Sequence, residues 1–210
     1  MDMSLQMKGV APAREVLAQR IEDAGLGEWD LDALAGRLVE LSGGGATAAA
    51  SASATLILEA QRRGELCVWI GARATTFYPP DFAASGIDLE ALPVVHVAHA
   101  NHALRVADAL LRSGGFAIMV LDLGARARLP LPVQTRLAGL AKRHNTALLA
   151  ITGAGSRKRP EATMASLRAE SSYWRVGPDR FVCELRPLKD KRRPPGWSHR
   201  EIRRGPDGLC

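Results

Sequence analysis

The chain has 210 residues, of which 47% are hydrophobic and 24% charged, and its formal net charge is +6. The length allows one α/β domain with a substantial core, and the composition is ordinary for a soluble globular protein. No stretch approaches ~18 uncharged apolar residues, and residues 1–10 hold no long apolar run, so we expect neither a membrane span nor a signal peptide. The three scattered cysteines, Cys67, Cys183 and Cys210, favour reduced thiols in the cytoplasm.

The first predicted element is a short amphipathic helix over Pro12–Ala24. Pro12 suits the first helical position, and a glycine follows the last one. Leu17 and Ile21 lie on its apolar face, which needs a surface to pack against, on this chain or on a partner. Residues 25–34 are predicted to be a linker, so that residues 1–35 form an N-terminal helix and linker ahead of the main domain.

A glycine turn connects the first predicted strand, Leu38–Ser42, to an alanine-rich helix, Ala46–Arg63. This is the order of a phosphate-binding loop, whose motif G-x-x-x-x-G-K-[ST] supplies a lysine for the β/γ-phosphates and a hydroxyl for Mg²⁺. Counted from Gly43, the second glycine, the lysine and the hydroxyl residue are replaced by Ala48, Ala49 and Ala50. The layout indicates descent from an ATPase, and the residues argue against an ATPase. Weak anion binding by backbone N–H groups and a purely structural glycine turn are the alternatives.

Strands and helices then alternate along the chain. The further strands are predicted at Leu66–Ile70, Leu92–Val97, Phe116–Asp122 and Thr146–Thr152. The helices between them are predicted at Pro80–Ser85, where the pattern is short and irregular, Asn101–Arg112 and Pro132–His144. Because these strands are continuously apolar, we expect both of their faces to be covered, which is typical of a mostly parallel sheet flanked by helices.

The pattern changes after residue 153. Ser172–Val176 and Phe181–Arg186 are predicted to form a hairpin, and Ile202 lies in a last short strand. The predicted fold is therefore an α/β core over residues 36–187 with a C-terminal antiparallel extension, followed by a tail over residues 188–210.

Two polar sets in the core are candidates for chemistry. Asp122 ends a very apolar strand, where a carboxylate can hold Mg²⁺, cap a turn, or pair with Arg126 or Arg128. His96, His99 and His102 have a spacing that zinc sites use, but no cysteine or acidic ligand lies near them in sequence, so we predict turn and surface histidines and no metal site.

The excess positive charge lies near the C-terminus. Between Arg186 and Arg204, eight basic residues face two acidic ones, which accounts for the net charge of +6. The segment is either a solvated tail or an electrostatic surface for nucleic acid or an acidic protein. The predicted binding residues in it are Lys189, Lys191, Arg192, Arg193, Arg200, Arg203 and Arg204.

A second cationic run, Arg157-Lys158-Arg159, follows the last core strand and can either grip phosphates or be a solvated loop. Trp174 and Trp197 flank these basic segments and can stack on bases or pack inside the protein.

Taken in order, several of these segments resemble the RecA core. Gly36–Leu41 is similar to the run that leads into the RecA phosphate-binding loop, and Ile118–Asp122 occupies the Walker B position with its terminal aspartate. Leu137–Leu149 is similar to the following helix and strand, and Lys189–Pro195 to a basic stretch near the end of that core. The resemblance spans residues 36–204 and implies a RecA-like fold.

The departures from the family pattern concern the nucleotide site. Besides the three alanines, Arg73 stands where the family has its catalytic carboxylate, and a guanidinium cannot polarise the attacking water. Small, degenerate RecA-like chains of this kind resemble the ImuA family of translesion-synthesis accessory proteins. SulA, a cell-division inhibitor, is a related degenerate relative, and the basic C-terminal segment favours the ImuA family.

The resemblance implies a non-catalytic adaptor without a cofactor, acting in SOS-induced translesion DNA synthesis in the cytoplasm and at the nucleoid. Its implied partners are an ImuB-type polymerase-like protein, an error-prone polymerase, RecA and DNA, with a homo-oligomer left open. The alternatives are a SulA-like inhibitor of cell division and a DNA-repair ATPase with an atypical nucleotide site.

Overall fold

The computed structural model describes residues 29–43, 48–72, 75–124, 129–153 and 163–205. The predicted N-terminal helix with Leu17 and Ile21 lies outside the described residues. The same holds for Arg73, for the run Arg157, Lys158 and Arg159, and for Cys210.

Five helices and eight strands form the described part of the chain. The helices are α1 Leu31–Leu34, α2 Ala48–Arg62, α3 Pro79–Ala84, α4 Ala100–Ser113 and α5 Leu131–His144. The strands are β1 Leu38–Gly43, β2 Cys67–Gly71, β3 Val94–His96, β4 Ile118–Asp122, β5 Ala147–Gly153, β6 Leu167–Arg175, β7 Arg180–Asp190 and β8 His199–Arg204.

All eight strands belong to one sheet, in the order β3-β2-β4-β5-β1-β6-β7-β8. The first six are mutually parallel, and β7 and β8 add antiparallel pairings at one edge. The predicted fold class is confirmed: a mostly parallel α/β sheet flanked by helices, with a C-terminal antiparallel extension. Helix α2 packs on one face of the sheet, and α4 and α5 pack on the other.

The C-terminal hairpin is longer than predicted. The prediction began it at Ser172, whereas β6 begins at Leu167 and β7 continues to Asp190. Leu167, Ala169 and Ser171 are buried on the α2 side, while the residues between them carry charges on the opposite face. This alternation of small or apolar with charged residues is typical of a half-buried strand, but it is weaker than the continuous apolar runs of the central strands.

Residues 29–35 belong to the core and not to a linker. Trp29 is buried, and its Nε1 donates a hydrogen bond to the carbonyl of Ala52 in α2 at 3.0 Å. Asp30 caps the short helix α1 by accepting from the Ala33 N–H at 2.7 Å. The tryptophan burial, which local periodicity does not report, attaches this segment to α2.

The predicted tail that begins at residue 188 is also folded into the sheet. Strand β7 runs through that boundary to Asp190, and β8 pairs with β7 from Arg180↔Arg204 to Leu185↔His199. Residues 188–204 are thus an integral part of the extension, because the backbone of β8 satisfies the otherwise open edge of β7.

A buried ion pair joins the start of β1 to the end of β7. Arg37 Nη2 lies 2.5 Å from Asp190 Oδ1, and the two side chains are 1% and 2% exposed. Arg37 also donates to Ser166, through Nε to its hydroxyl at 2.8 Å and through Nη2 to its carbonyl at 3.1 Å. Burial opposes ionisation of Asp190, but the Arg192 N–H and the Arg37 guanidinium outweigh it, and the pKa of Asp190 is lowered.

This pair predicts a large and coupled effect on stability. Arg37→Leu and Asp190→Leu should each lower the free energy of unfolding by about 3–5 kcal/mol, because each leaves the opposite charge buried without its partner. The double variant should lose less than the sum of the two, since no unpaired charge remains. Urea unfolding of the four proteins measures the coupling.

The matched control is Arg112→Ala, which removes an arginine that is 56% exposed and paired with Asp108 on the same helix. Its effect should stay within about 0.5 kcal/mol. Additive effects of the Arg37 and Asp190 substitutions would show that the two charges do not interact.

Candidate functional site at the carboxyl edge of the sheet

The four central parallel strands end together at one edge of the sheet. Gly43 of β1 is in register with Gly153 of β5, and Gly71 of β2 is in register with Asp122 of β4. In open α/β sheets, ligands bind in the crevice beyond the carboxyl ends of the strands. The residues predicted from the degenerate phosphate-binding loop and from the Walker B position therefore meet at the edge where a nucleotide would bind.

The helix that follows the glycine turn presents methyl groups at the three decisive positions. The described part of α2 begins at Ala48, and Ala48, Ala49 and Ala50 are 2%, 4% and 6% exposed. Ala49 and Ala50 pack in the same apolar cluster as Trp69 of β2. These positions carry neither an ammonium group for phosphate nor a hydroxyl for a metal ion, and their side chains contribute to the core.

Asp122 is fully buried, and its carboxylate is occupied by neighbouring donors. Oδ2 accepts from the Thr75 hydroxyl at 2.9 Å, from the Thr76 hydroxyl at 3.0 Å and from the Thr76 N–H at 2.5 Å. Oδ1 accepts from the Gly124 N–H at 3.1 Å. Of the alternatives open from the sequence, the structure contains the turn-capping one, and Arg126 and Arg128 lie outside the described residues.

The segment that caps Asp122 is itself held by aromatic side chains. The Thr75 hydroxyl accepts from Trp69 Nε1 at 3.1 Å and from the Phe77 N–H at 3.2 Å. The Trp69 ring packs against Phe77 and Phe82, with ring centroids 5.5 and 5.2 Å apart. Thr75 thus donates to Asp122 and accepts from two groups, so residues 75–77 are fixed over the end of β4.

Gly71 permits this close approach. A Cβ at that position would lie 2.6 Å from the Thr75 hydroxyl, which no side chain can tolerate without a shift. Sequence reasoning missed Trp69, Gly71 and the threonine pair as parts of this site. The available signal was two adjacent hydroxyl residues shortly after a strand, in register with a strand-end aspartate.

A second polar network lies on the opposite face of β1. Arg168 Nε is 3.1 Å from Glu40 Oε2, and both side chains are buried. The Thr152 hydroxyl lies 3.3 Å from Glu40 Oε1. The charges of this network compensate each other inside the sheet, and sequence reasoning did not single out these residues.

The structure divides the predicted basic segment into residues with internal partners and residues that face solvent. Arg192 donates to the carbonyls of Ala33 and Ala35, each at 3.3 Å. The Arg193 guanidinium stacks over Trp197, with 4.5 Å from Cζ to the ring centroid. These two arginines fasten the 190–197 turn to the N-terminal part of the core.

Lys189 also contacts the protein interior. Its Nζ donates to the Thr163 carbonyl at 3.0 Å, and burial, with the charge of nearby Lys191 as a smaller cause, lowers its pKa. Lys191 itself is exposed, and it remains a candidate for contact with a partner.

Glu201 gathers three side chains between β8 and α2. His199 Nε2 lies 2.7 Å from its Oε1, Arg203 Nε donates to its Oε2 at 2.8 Å, and the Thr55 hydroxyl is 3.1 Å from both oxygens. Burial raises the pKa of Glu201, but the hydrogen bond from His199 and the charge of Arg203 outweigh it, and the pKa is lowered. Arg203 therefore serves this internal network.

The last two predicted cations lie on the solvent side. Arg200 pairs with Glu184 at 2.7 Å, and Arg204 pairs with Asp179 at 3.2 Å while its side chain is 84% exposed. Ion pairs at such exposed positions contribute little to stability, so these guanidinium groups can exchange partners. The assignment of DNA or partner binding to the basic residues stays a prediction.

Metal and thiol chemistry find no assembled site in the described part of the chain. His99 and His102 have ring centroids 5.7 Å apart, and no three His, Cys, Asp or Glu side chains among the described residues are placed to hold a metal ion. Burial raises the pKa of the Cys67 and Cys183 thiols, so both are poor nucleophiles at neutral pH.

Within the ranges that the structure describes, no helix is both long and apolar enough to cross a membrane.

Comparison with known proteins identifies relatives of this core. The family model of the RecA N-terminal domain matches residues 23–150. The RecA proteins of Brucella canis, Brucella suis and Brucella melitensis are each 32% identical over 128 residues, which covers 58% of this chain and 35% of the relative. The chain thus spans about a third of the length of these curated relatives.

Restoring the consensus loop should not restore nucleotide binding. In Ala48→Gly/Ala49→Lys/Ala50→Thr, the carboxylate of Asp122 remains bonded to Thr75 and Thr76, and the new side chains enter tightly packed positions. We expect no rise in melting temperature with Mg²⁺–ATP, and a loss of about 1–3 kcal/mol in stability from overpacking. A nucleotide-dependent rise in this variant, beside an active RecA as control, would contradict the closed site.

The network at Glu201 predicts a loss of stability in acid. Because the folded-state pKa of Glu201 is lowered from its ordinary value of ~4.3, its contribution is fully present above that pH. The contribution disappears as pH falls through the lowered folded-state value. Urea unfolding from pH 6 to pH 3 should show a smaller decline for Glu201→Gln than for the unmodified protein. Equal declines would show that Glu201 is not stabilised as a carboxylate.

Proposed function

This chain belongs to the family of the RecA N-terminal domain, and we propose that it is a non-catalytic accessory protein of that family, acting in DNA-damage tolerance. Its specific role in the proposal is that of an adaptor in SOS-induced translesion DNA synthesis, in the cytoplasm and at the nucleoid.

The state of the nucleotide site supports the non-catalytic part of the proposal. Phosphoryl transfer depends on a lysine at the phosphates, a metal held by a hydroxyl and a carboxylate, and a group that orients water. Ala49 and Ala50 replace the first two ligands. Asp122, the remaining carboxylate, is bonded to Thr75 and Thr76. A RecA-type core with this edge has lost the means of an ATP cycle but keeps its outer surfaces.

The proposed partners are an ImuB-type polymerase-like protein, the associated error-prone polymerase, RecA and DNA. Lys191 and Arg204 are exposed cations that can meet an acidic partner, and charge complementarity accelerates such encounters. Arg192 and Arg193 act indirectly in this view, because they hold the 190–197 turn on the core.

The first experiment measures ATP binding and hydrolysis by the purified protein, with and without single-stranded DNA, beside an active RecA. We expect neither binding nor turnover. DNA-stimulated turnover would overturn the non-catalytic proposal and favour a repair ATPase.

The second experiment measures capture of the ImuB-type protein and of RecA by the immobilised chain. We expect capture, and a several-fold loss with Lys191→Glu/Arg204→Glu. The matched control is Arg105→Glu/Arg112→Glu, which reverses two exposed charges on α4 and should capture normally. Failure of the unmodified protein to capture either partner would contradict the adaptor role, and cell filamentation on overexpression would favour a SulA-like inhibitor.

A further inference from the structure

The antiparallel extension has one covered face and one open face. Helix α2 contacts β6 and β7 from the side that carries Cys183 and Leu185. The side chains that alternate with these point to the opposite side, which is called here the outer face of β6–β8. The described helices α4 and α5 on that side of the sheet pack on the central strands.

The outer face is organised in cross-strand rows. Arg180 of β7 is opposite Arg204 of β8. In the next row, Val182 lies between Trp174 of β6 and Ile202 of β8. In the row after that, Glu184 lies between Ser172 and Arg200. Alternate residues along a strand are about 6.6 Å apart, so the three rows form one continuous surface.

Trp174 is the exposed aromatic group of this surface. Its side chain is 37% exposed, although an indole at a sheet face normally gains stability from burial. Trp197, the other tryptophan near the basic segments, is covered by Arg193 and packs against the core. The structure thus separates two tryptophans that the sequence left equivalent: Trp197 packs, and Trp174 presents a ring to solvent.

The row beside Trp174 places two positive charges opposite each other. Like charges directly across a strand pair are destabilising. Arg204 has a partial partner in Asp179, whereas Arg180 makes no ion pair with any residue that the structure describes. An anion placed between the two guanidinium groups would relieve this repulsion, and the planar guanidinium donors match phosphate oxygens.

We propose that the outer face of β6–β8 binds single-stranded DNA, with a base stacked on Trp174 and phosphates between Arg180 and Arg204. This inference rests on the proposed function, which places the protein at damaged DNA. Stacking on aromatic side chains beside basic residues is how proteins hold single strands without reading sequence. Arg200 supports the next phosphate, because its pair with Glu184 is half-exposed and readily exchanged.

An acidic protein segment is the competing occupant of a basic surface. Carboxylates would satisfy Arg180 and Arg204 equally well, but they leave the exposed indole without a partner. A single strand satisfies both parts of the surface, since every nucleotide carries one phosphate and one aromatic base. The exposed tryptophan beside the paired arginines therefore favours DNA.

The test is fluorescence anisotropy of a labelled oligo-dT with the full chain over a range of salt concentrations. Trp174→Ala should weaken binding about 5- to 150-fold, and Trp174→Phe, which keeps a stacking ring, should retain most of the affinity. Arg180→Ala/Arg204→Ala should weaken binding and reduce the slope of log K against log salt by about 1.4, at 0.7 for each phosphate.

The matched control is Arg105→Ala/Arg112→Ala, which removes two exposed charges from α4 and should change neither the affinity nor the slope by a comparable amount. Melting curves establish that each variant is folded. Wild-type affinity in the Trp174→Ala and Arg180→Ala/Arg204→Ala variants would overturn the inference, as would absence of DNA binding by the unmodified protein. Displacement by a poly-glutamate peptide with no effect of Trp174→Ala would assign the face to an acidic protein instead.

Failure of this inference is distinguishable from failure of the proposed function. Capture of the ImuB-type protein and of RecA is measured without DNA, and Trp174→Ala should leave it unchanged. Loss of DNA binding with retained capture supports both proposals, and retained capture with unaltered DNA binding overturns the inference alone.

Discussion

The pair of Arg37 and Asp190 is the constraint on which the two parts of the sheet depend. It connects the first residue before β1 to the last residue of β7, which are 153 positions apart in the chain. Two buried charges are stable only with each other and with further hydrogen bonds, here from Ser166 to Arg37 and from Arg192 to Asp190. The parallel core and the antiparallel extension are therefore held in one arrangement, and the alternation of faces along β6, β7 and β8 follows from it.

The same economy of polar groups closes the carboxyl edge. A strand-end aspartate in a working nucleotide site must keep its oxygens available for a metal ion and water. In this chain Asp122 is fully buried, and its oxygens accept from Thr75, Thr76 and Gly124. With Trp69 beneath Thr75, the edge is stabilised as ordinary protein interior. Loss of the phosphate-binding residues and satisfaction of the remaining carboxylate are two consistent aspects of one change, from a site that binds a ligand to a site that supports the fold.

The basic residues show how a charge run in sequence divides in three dimensions. Arg192, Arg193 and Arg203 lie close in sequence to Arg204, yet the first three stabilise a turn and a helix contact. Only alternation along a strand and the position of α2 decide which guanidinium faces solvent. The surface that results combines arginines from β7 and β8 with an indole from β6, a combination that no contiguous segment contains.

The sequence by itself determined the α/β class, the order of the central strands and helices and the loss of the phosphate-binding residues, because apolar runs and a missing lysine are local properties. It left the role of Asp122 and of Trp174 and Trp197 undecided, and it misplaced residues 29–35 and 188–204 outside the core. Those outcomes depend on contacts between distant segments: Trp29 with α2, Arg37 with Asp190, and β8 with β7. Only the tertiary structure could decide them, because burial and pairing of polar groups are fixed by neighbours in space and not by neighbours in the chain.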